Sequence, residues 1–283
     1  MIFSICSLSV VPVRAGRKYK SEMITQLLFG EVVECWEKKG EWTKIRCLWD
    51  NQIGWVPTNQ LTQITEEEAN RYQSNFACSM ELAQPAIAAD HFLPLTMGAS
   101  LPCFDGMRFE IAGTSYSFSG QVITPQNIHQ SIDLLIKLAR RYLYAPELEG
   151  GRSPFGIDST GLIQVIFKML GISMPRDAYL QARKGENIDF YEQAAVGDLV
   201  FFQDKNGHID HVGIVCEKDK ILHTYGKVRI DKIDHFGIYN VASKKYTHKL
   251  RVIKRVLTSD APMKKVIEKE VEAEITNQIE LFK

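Results

Sequence analysis

At 283 residues, 45% of them hydrophobic, the chain has length for about two domains and enough apolar mass to fill sizeable cores. Its 34 basic residues balance 34 acidic ones, so no net field steers it toward nucleic acid or an anionic membrane surface, and neither is expected as a partner. Six cysteines, Cys6, Cys35, Cys47, Cys78, Cys103 and Cys216, stand singly; without paired spacing they read as reduced core residues, which points to a cytoplasmic protein and away from structural zinc.

The first 14 residues have no basic residue before their apolar stretch, and they alternate, with Phe3, Ile5 and Ser7 on one side and Ser4, Cys6 and Leu8 on the other. That pattern predicts a first β-strand rather than a signal peptide. No apolar run reaches the length of a membrane span. Strand patterns follow at residues 32–36, 42–47 and 53–56, broken by Lys39-Gly40 and Asp50-Asn51, and several short strands at this spacing predict a small barrel over residues 1–64. At least two of Trp36, Trp42 and Trp55 are expected in its core. Residues 65–80 are polar and helix-forming, a connector whose Glu66-Glu67-Glu68 suits the positive end of a helix. Strand patterns return at 100–103, 108–112 and 116–122, with turns at Gly106 and Gly113, and predict a second, more divergent barrel over 81–126.

A helix over about 127–143 is expected to pack Leu134, Leu135, Leu138 and Ala139 inward. Asp158 and Ser159 are both good cap residues, and the apolar run 163–170 after them, stopped by Gly171, predicts a buried helix. Ser159 then sits at a helix mouth, where unpaired N–H groups and the macrodipole favour developing negative charge; capping is its ordinary reading. Residues 197–202, 211–216 and 220–226 read as three short strands, and 246–253 as a closing strand. In the tail, Met263, Ile267, Val271, Ile275 and Ile279 recur every fourth residue, an amphipathic helix expected to dock on its own domain.

This order of pieces resembles the papain-like cell-wall cysteine peptidases of the NlpC type. In that family a helix opens with Asp-Cys-Ser-Gly-Leu, a later strand opens with His-Val-Gly, and a third polar residue, often His, lies on the next strand. Here the matching residues are Asp158-Ser159-Thr160-Gly161-Leu162, His211-Val212-Gly213 and His223. Gly151-Arg152-Ser153-Pro154-Phe155-Gly156, Pro175-Arg176-Asp177 with Gln181, and Gly197-Asp198-Leu199 also stand where the family has such segments. The resemblance covers about residues 128–257, and residues 30–56 resemble the bacterial SH3-like modules that accompany this family. It implies an α+β papain-like domain over 127–257, preceded by two small all-β SH3-like barrels and followed by a helical tail over 258–283.

By the same resemblance, Ser159 takes the nucleophile position, His211 the base and His223 its orienter. In multidomain relatives that recycle murein peptides, the first module holds the substrate's amino group with an acid and a Tyr; Glu22 is the matching acid and Gln52 stands where the Tyr would. Asp158, Thr160 and Arg152 join the expected substrate contacts, with helix capping an equal role for Asp158. Where the family commonly has Pro-Tyr-Leu-Trp-Gly-Gly, this chain reads Pro146-Glu147-Leu148-Glu149-Gly150-Gly151, so two cleft aromatics become acids.

A Cys–His pair holds a ready thiolate, whereas a Ser hydroxyl must lose its proton during attack, which Ser enzymes support with a carboxylate behind the base. With only His223 behind His211, little or no peptide hydrolysis is expected. An engineered Cys-to-Ser trap would keep the aromatics; losses confined to the site fit a natural degenerate site better. The expected function is binding of a murein-derived peptide or a protein segment, the alternative a residual hydrolase of the γ-D-glutamyl-L-diamino acid endopeptidase type using Ser159. No cofactor is implied. No metal is expected from His208, Asp210 and His211, which alternate poorly. Asp198 is expected in a turn, Arg176 and Asp177 as a loop ion pair, and His235 and His248 at the surface. The two imidazoles share a face only with the right hairpin parity, given by Cys216 opposite Lys220, Val215 opposite Ile221 and Gly213 opposite His223.

Overall fold

Val11, Val13, Leu27, Ile45 and Val56 are buried at alternating strand positions and form one small core. The strands that carry them make a seven-stranded antiparallel sheet, in spatial order Met23–Leu28, Val10–Arg14, Ile53–Pro57, Trp42–Cys47, Val32–Lys39, Ile2–Ile5 and Thr62–Ile64. The computed structural model describes residues 1–257; the helix expected in the tail lies outside them. The single strand expected over the first 14 residues is two, because Ser7 to Ser9 turn the chain. Of the three tryptophans, only Trp42 is buried. Trp36 is exposed, and Trp55 is half-buried beneath the Arg17 guanidinium, since both side chains fall on the outward parity of their strands.

Thr65 caps the connecting helix Glu66–Ser74, and Glu68 completes the capping box. The helix is shorter than expected: Phe76–Ser79, assigned from sequence to the connector, is a fully buried strand. It joins Ser100–Pro102 and Val122–Ile123 in one sheet, while Phe92–Thr96, Ala83–Ile87, Thr114–Ser117 and Arg108–Ile111 form another. The core of this unit, with Phe109 stacked on Tyr116, runs on into Phe3 and Phe29 of the first unit.

Ser131 caps the helix Ile132–Arg141, and Asp158 caps Ser159–Met169. Every residue of the second helix is buried, as its apolar run requires, and burying side chains such as Leu162, Ile166 and Phe167 stabilises the fold by roughly 1.5–3 kcal/mol each. It packs on a seven-stranded antiparallel sheet ordered Glu186–Ile188, Lys245–Arg255, Leu199–Gln203, Ile209–Glu217, Lys220–Tyr225, Lys227–Asp234 and Gly237–Asn240. The last strand also pairs with Lys245–Arg255, curling the sheet. Asp198 does more than turn the chain. It is buried, accepts from the Ala195 amide, and pairs with Arg255 at 2.8 Å.

Polar residues on the buried helix fasten it to the first unit. Lys168 pairs with Glu31 at 2.8 Å, Arg152 pairs with the same carboxylate, and Gln164 donates to Asp50. Burial alone would raise the Glu31 carboxyl, but Arg152 and Lys168 outweigh it and hold it at about 2. Gly150 shows how closely the units meet. Its φ is 78°, and a Cβ there would fall 2.1 Å from the Met23 carbonyl oxygen. The first unit thus forms one wall of the cleft above Ser159.

Candidate active site

Ser159 opens its helix directly after the Asp158 cap, is nearly buried, and faces a cleft of about 640 Å³ that His211 also lines. The free amide ends of the helix favour an oxyanion at this mouth.

Behind Ser159, Nε2 of His211 lies 3.0 Å from Nδ1 of His223, and Nε2 of His223 lies 3.2 Å from Oδ2 of Asp231. Burial would raise the Asp231 carboxyl, yet His223 and Arg229, the latter 2.8 Å away, hold it below its usual range and therefore ionised. An ionised carboxylate only accepts. It therefore assigns the proton of His223 to Nε2, which leaves Nδ1 as acceptor for the Nε2–H of His211, which in turn leaves Nδ1 of His211 with a free lone pair, the form a general base needs. Burial, and then His248 and His223, push the His211 imidazole well below its ordinary value. It is a neutral but weak base.

Strand register brings the imidazoles together. Gly213 stands opposite His223 and Val215 opposite Ile221, as expected, but the turn is tighter: Glu217, not Cys216, faces Lys220, with a bulge at Cys216. Without that extra residue the two-residue turn, with Asp219 at φ 56°, would put His223 on the other face. Gly213 leaves the room, since a Cβ there would meet Ile221 at 2.7 Å and the His223 Cβ at 3.0 Å.

Other expected residues fall in different places. Glu22, Gln52, Glu147, Glu149, Asp158 and Thr160 all line the cleft. Asp158 is fully engaged, however. It accepts from the amides of Gly161 and Gly150, from the Thr160 hydroxyl, and from both Nη atoms of Arg176. With no lone pair left over, it is a cap and clamp rather than a receptor for a substrate amine. Arg176 accordingly pairs with Asp158 and not with Asp177, because the buried carboxylate needs a cation and the exposed one does not. Arg152 is no substrate contact, since its guanidinium is buried against Glu31 and the Gln26 carbonyl. Glu147 accepts from the Gly226 amide at 2.6 Å. Burial, Asp158 and the acids Glu147 and Glu22 raise the Glu149 carboxyl, with Arg176 opposing them.

Two residues were missed from sequence. Asp231 lies on a strand, Lys227–Asp234, whose apolar alternation is interrupted by Asp231 itself at a buried position. His248, expected at the surface, is half-buried and stacked on His211 with centroids 4.1 Å apart, because the closing strand curls over the pair. The available signal, for Asp231 alone, was a polar residue on the strand after the His223 strand; the strand of His248 pairs with strands that carry no histidine.

Residues 142–259 match the NlpC/P60 family, and residues 13–61 match the bacterial dipeptidyl-peptidase Sh3 domain. The γ-D-glutamyl-L-lysine dipeptidyl-peptidase of Bacillus subtilis is 31% identical over 226 residues, 71% of this chain and 71% of that protein. The chain belongs to the NlpC/P60 family. The Bacillus cereus dipeptidyl-peptidase of the same name is 27% identical over 232 residues, 72% of this chain and 68% of that protein. A crystal structure of an NlpC/P60 family protein from Bacillus cereus superimposes with a TM-score of 0.77 at 21% identity, covering 90% of this chain and all of that one, and shows that the two share the fold.

Proposed function

We propose that this NlpC/P60 chain is a degenerate murein-peptide hydrolase that holds a peptide or a protein segment in its cleft with little or no peptidase activity. The observation that carries this reading is the pairing of a hydroxyl at position 159, where the family has a thiol, with a buried base held far below its ordinary pKa. A thiolate–imidazolium pair needs no strong base at the moment of attack, but a hydroxyl does. The cleft walls support the same reading. Glu22, Glu147, Glu149 and Asp177 face a ligand, while the one arginine is committed to Asp158. The ligand is therefore neutral or basic, and the protein works in the cytoplasm, its two all-β units being SH3-like modules of which the second is divergent.

The relay through His223 to Asp231 favours one alternative, residual hydrolysis. In that reading the Ser159 proton passes to Nδ1 of His211 as Oγ attacks the γ-glutamyl carbonyl, and the imidazolium then protonates the departing amine. Incubating the purified chain with L-Ala-γ-D-Glu-L-Lys tests the two. The expected result is no released dipeptide above a blank; turnover that disappears in Ser159→Ala would overturn the binding reading in favour of the hydrolase.

A further inference from the structure

Behind Ser159 the two histidines of the relay, His211 and His223, are joined by a third, His248, that the peptidase chemistry does not require. Each offers one ring nitrogen, and these nitrogens all lie within 4.8 Å of one another. Across a tetrahedral zinc with bonds of about 2.0–2.1 Å, ligand nitrogens stand about 3.3 Å apart. The 3.0 Å between His211 and His223 is already of that order, and His248, half-buried and stacked on His211, completes the set by turning its ring nitrogen in toward them. We propose that His211, His223 and His248 form a binding site for a divalent transition metal of the zinc type, with a fourth position open.

Three further observations support this. The first is the carboxylate behind His223: Asp231 accepts from Nε2 and so turns the Nδ1 lone pair toward the cluster, the carboxylate–histidine arrangement that orients metal ligands. The second is that the donors are neutral. Burial lowers all three imidazoles, His248 to about 4, and the one proton in the way, that on Nε2 of His211, can move to Nδ1 of the same ring. The third is access. His248 lines a second cavity of about 780 Å³ with Gln203, Phe236 and Tyr246, an entry path that shares Asp210 with the peptide cleft. Three imidazoles with no carboxylate among them select zinc, nickel or copper over magnesium or calcium. Binding also removes the base. A metal on Nδ1 of His211 takes its lone pair directly, and a metal on Nε2 shifts the proton to Nδ1. Metal uptake and proton abstraction from Ser159 therefore exclude each other, and the site stands whether or not the peptidase reading holds.

The test is calorimetric titration of the chelator-treated full chain with zinc chloride, and in parallel with magnesium chloride. One zinc per chain with micromolar or tighter affinity is expected, and no magnesium. Asp231→Asn should weaken zinc by about 10–100-fold and His248→Ala by more, while His129→Ala, at an exposed imidazole outside the cavity, changes nothing. X-ray absorption of the zinc-loaded wild type, which needs no variant to fold, should count three imidazoles on the metal. No uptake by the wild type, a shell with fewer than three imidazoles, or uptake unchanged in a folded His248→Ala overturns the proposal.

Discussion

The imidazole of His223 is held between Asp231, 3.2 Å from its Nε2, and His211, 3.0 Å from its Nδ1. A single buried carboxylate thereby sets the tautomers of two rings in series, and the charge that would stabilise an imidazolium at His211 stands one ring too far away to act on it directly. Asp231→Asn replaces an obligate acceptor by an amide that also donates. The expected result is a change in the His211 ring-nitrogen chemical shifts, away from a protonated Nε2, with a stability loss of about 1–3 kcal/mol from leaving Arg229 without its partner. Unchanged shifts in a folded variant would remove Asp231 from the relay.

Ser159→Cys restores a thiol at the helix mouth but leaves Glu147 and Glu149 in the cleft wall. The thiol should titrate below the ordinary cysteine value, near 8.5, because the helix end favours the anion. Little cleavage of γ-D-glutamyl peptides should return, for want of apolar wall to hold the substrate. Full turnover by this variant would show that the acids are harmless.

How much of this was legible in the sequence depended on whether the signal was local. The helix Ser159–Met169 was readable because caps and an unbroken apolar run act over one segment, and the pairing of Gly213 with His223 followed from strand parity. The bulge at Cys216 was not readable, since a longer loop gives the same parity downstream. Asp231 and His248 were hidden for a different reason. Each matters only because a separate strand curls alongside, and nothing within either segment announces that neighbour. The partners of Arg152 and Arg176 were likewise set by contacts with the first unit and with the helix cap.

Glu31 links the first unit to the helix through two cations. Glu31→Gln leaves Arg152 and Lys168 buried without an anion, a change that costs about 3–5 kcal/mol and should appear as a lower midpoint in urea. The carboxyl is held at about 2 in the folded chain against about 4.3 when unfolded. Its contribution is therefore present above that unfolded value and lost as pH falls toward 2. A midpoint in Glu31→Gln equal to wild type at pH 7 would contradict the role.

The histidine cluster gives a second acid dependence at a different pH. The folded chain keeps His248 neutral down to about 4, and His211 and His223 are also lowered. Around His248 stand His211, His223, Tyr225, Phe202 and Thr247, with Asp231 the one opposing charge. The unfolded chain takes up these protons near 6.5 and the folded chain does not, so stability falls as pH drops from about 6.5 toward 4. His248→Phe should flatten part of that slope in denaturant titrations between these limits; an identical slope would mean the ring is protonated in the fold.

Glu147 and Glu149 decide what the cleft accepts. Both line it beside Glu22, and burial first, then the neighbouring acids Asp158, Glu147 and Glu22, push the Glu149 carboxyl up. A murein tripeptide brings carboxylates of its own, which would have to be desolvated against these walls with no free cation among the described cleft residues. Weak binding of the acidic tripeptide is therefore expected, with a Lys-rich peptide favoured over it. In Glu147→Gln the amide oxygen still accepts from the Gly226 amide, so the loop stays in place and the change reads charge alone. Combined with Glu149→Gln it should tighten the tripeptide about tenfold, a gain of about 1.4 kcal/mol, and weaken the basic peptide. Titration calorimetry at low salt separates the outcomes, because screening would mask the difference at high salt. Micromolar tripeptide binding that both substitutions leave unchanged would mean that the two acids face solvent and the cleft does not select by charge.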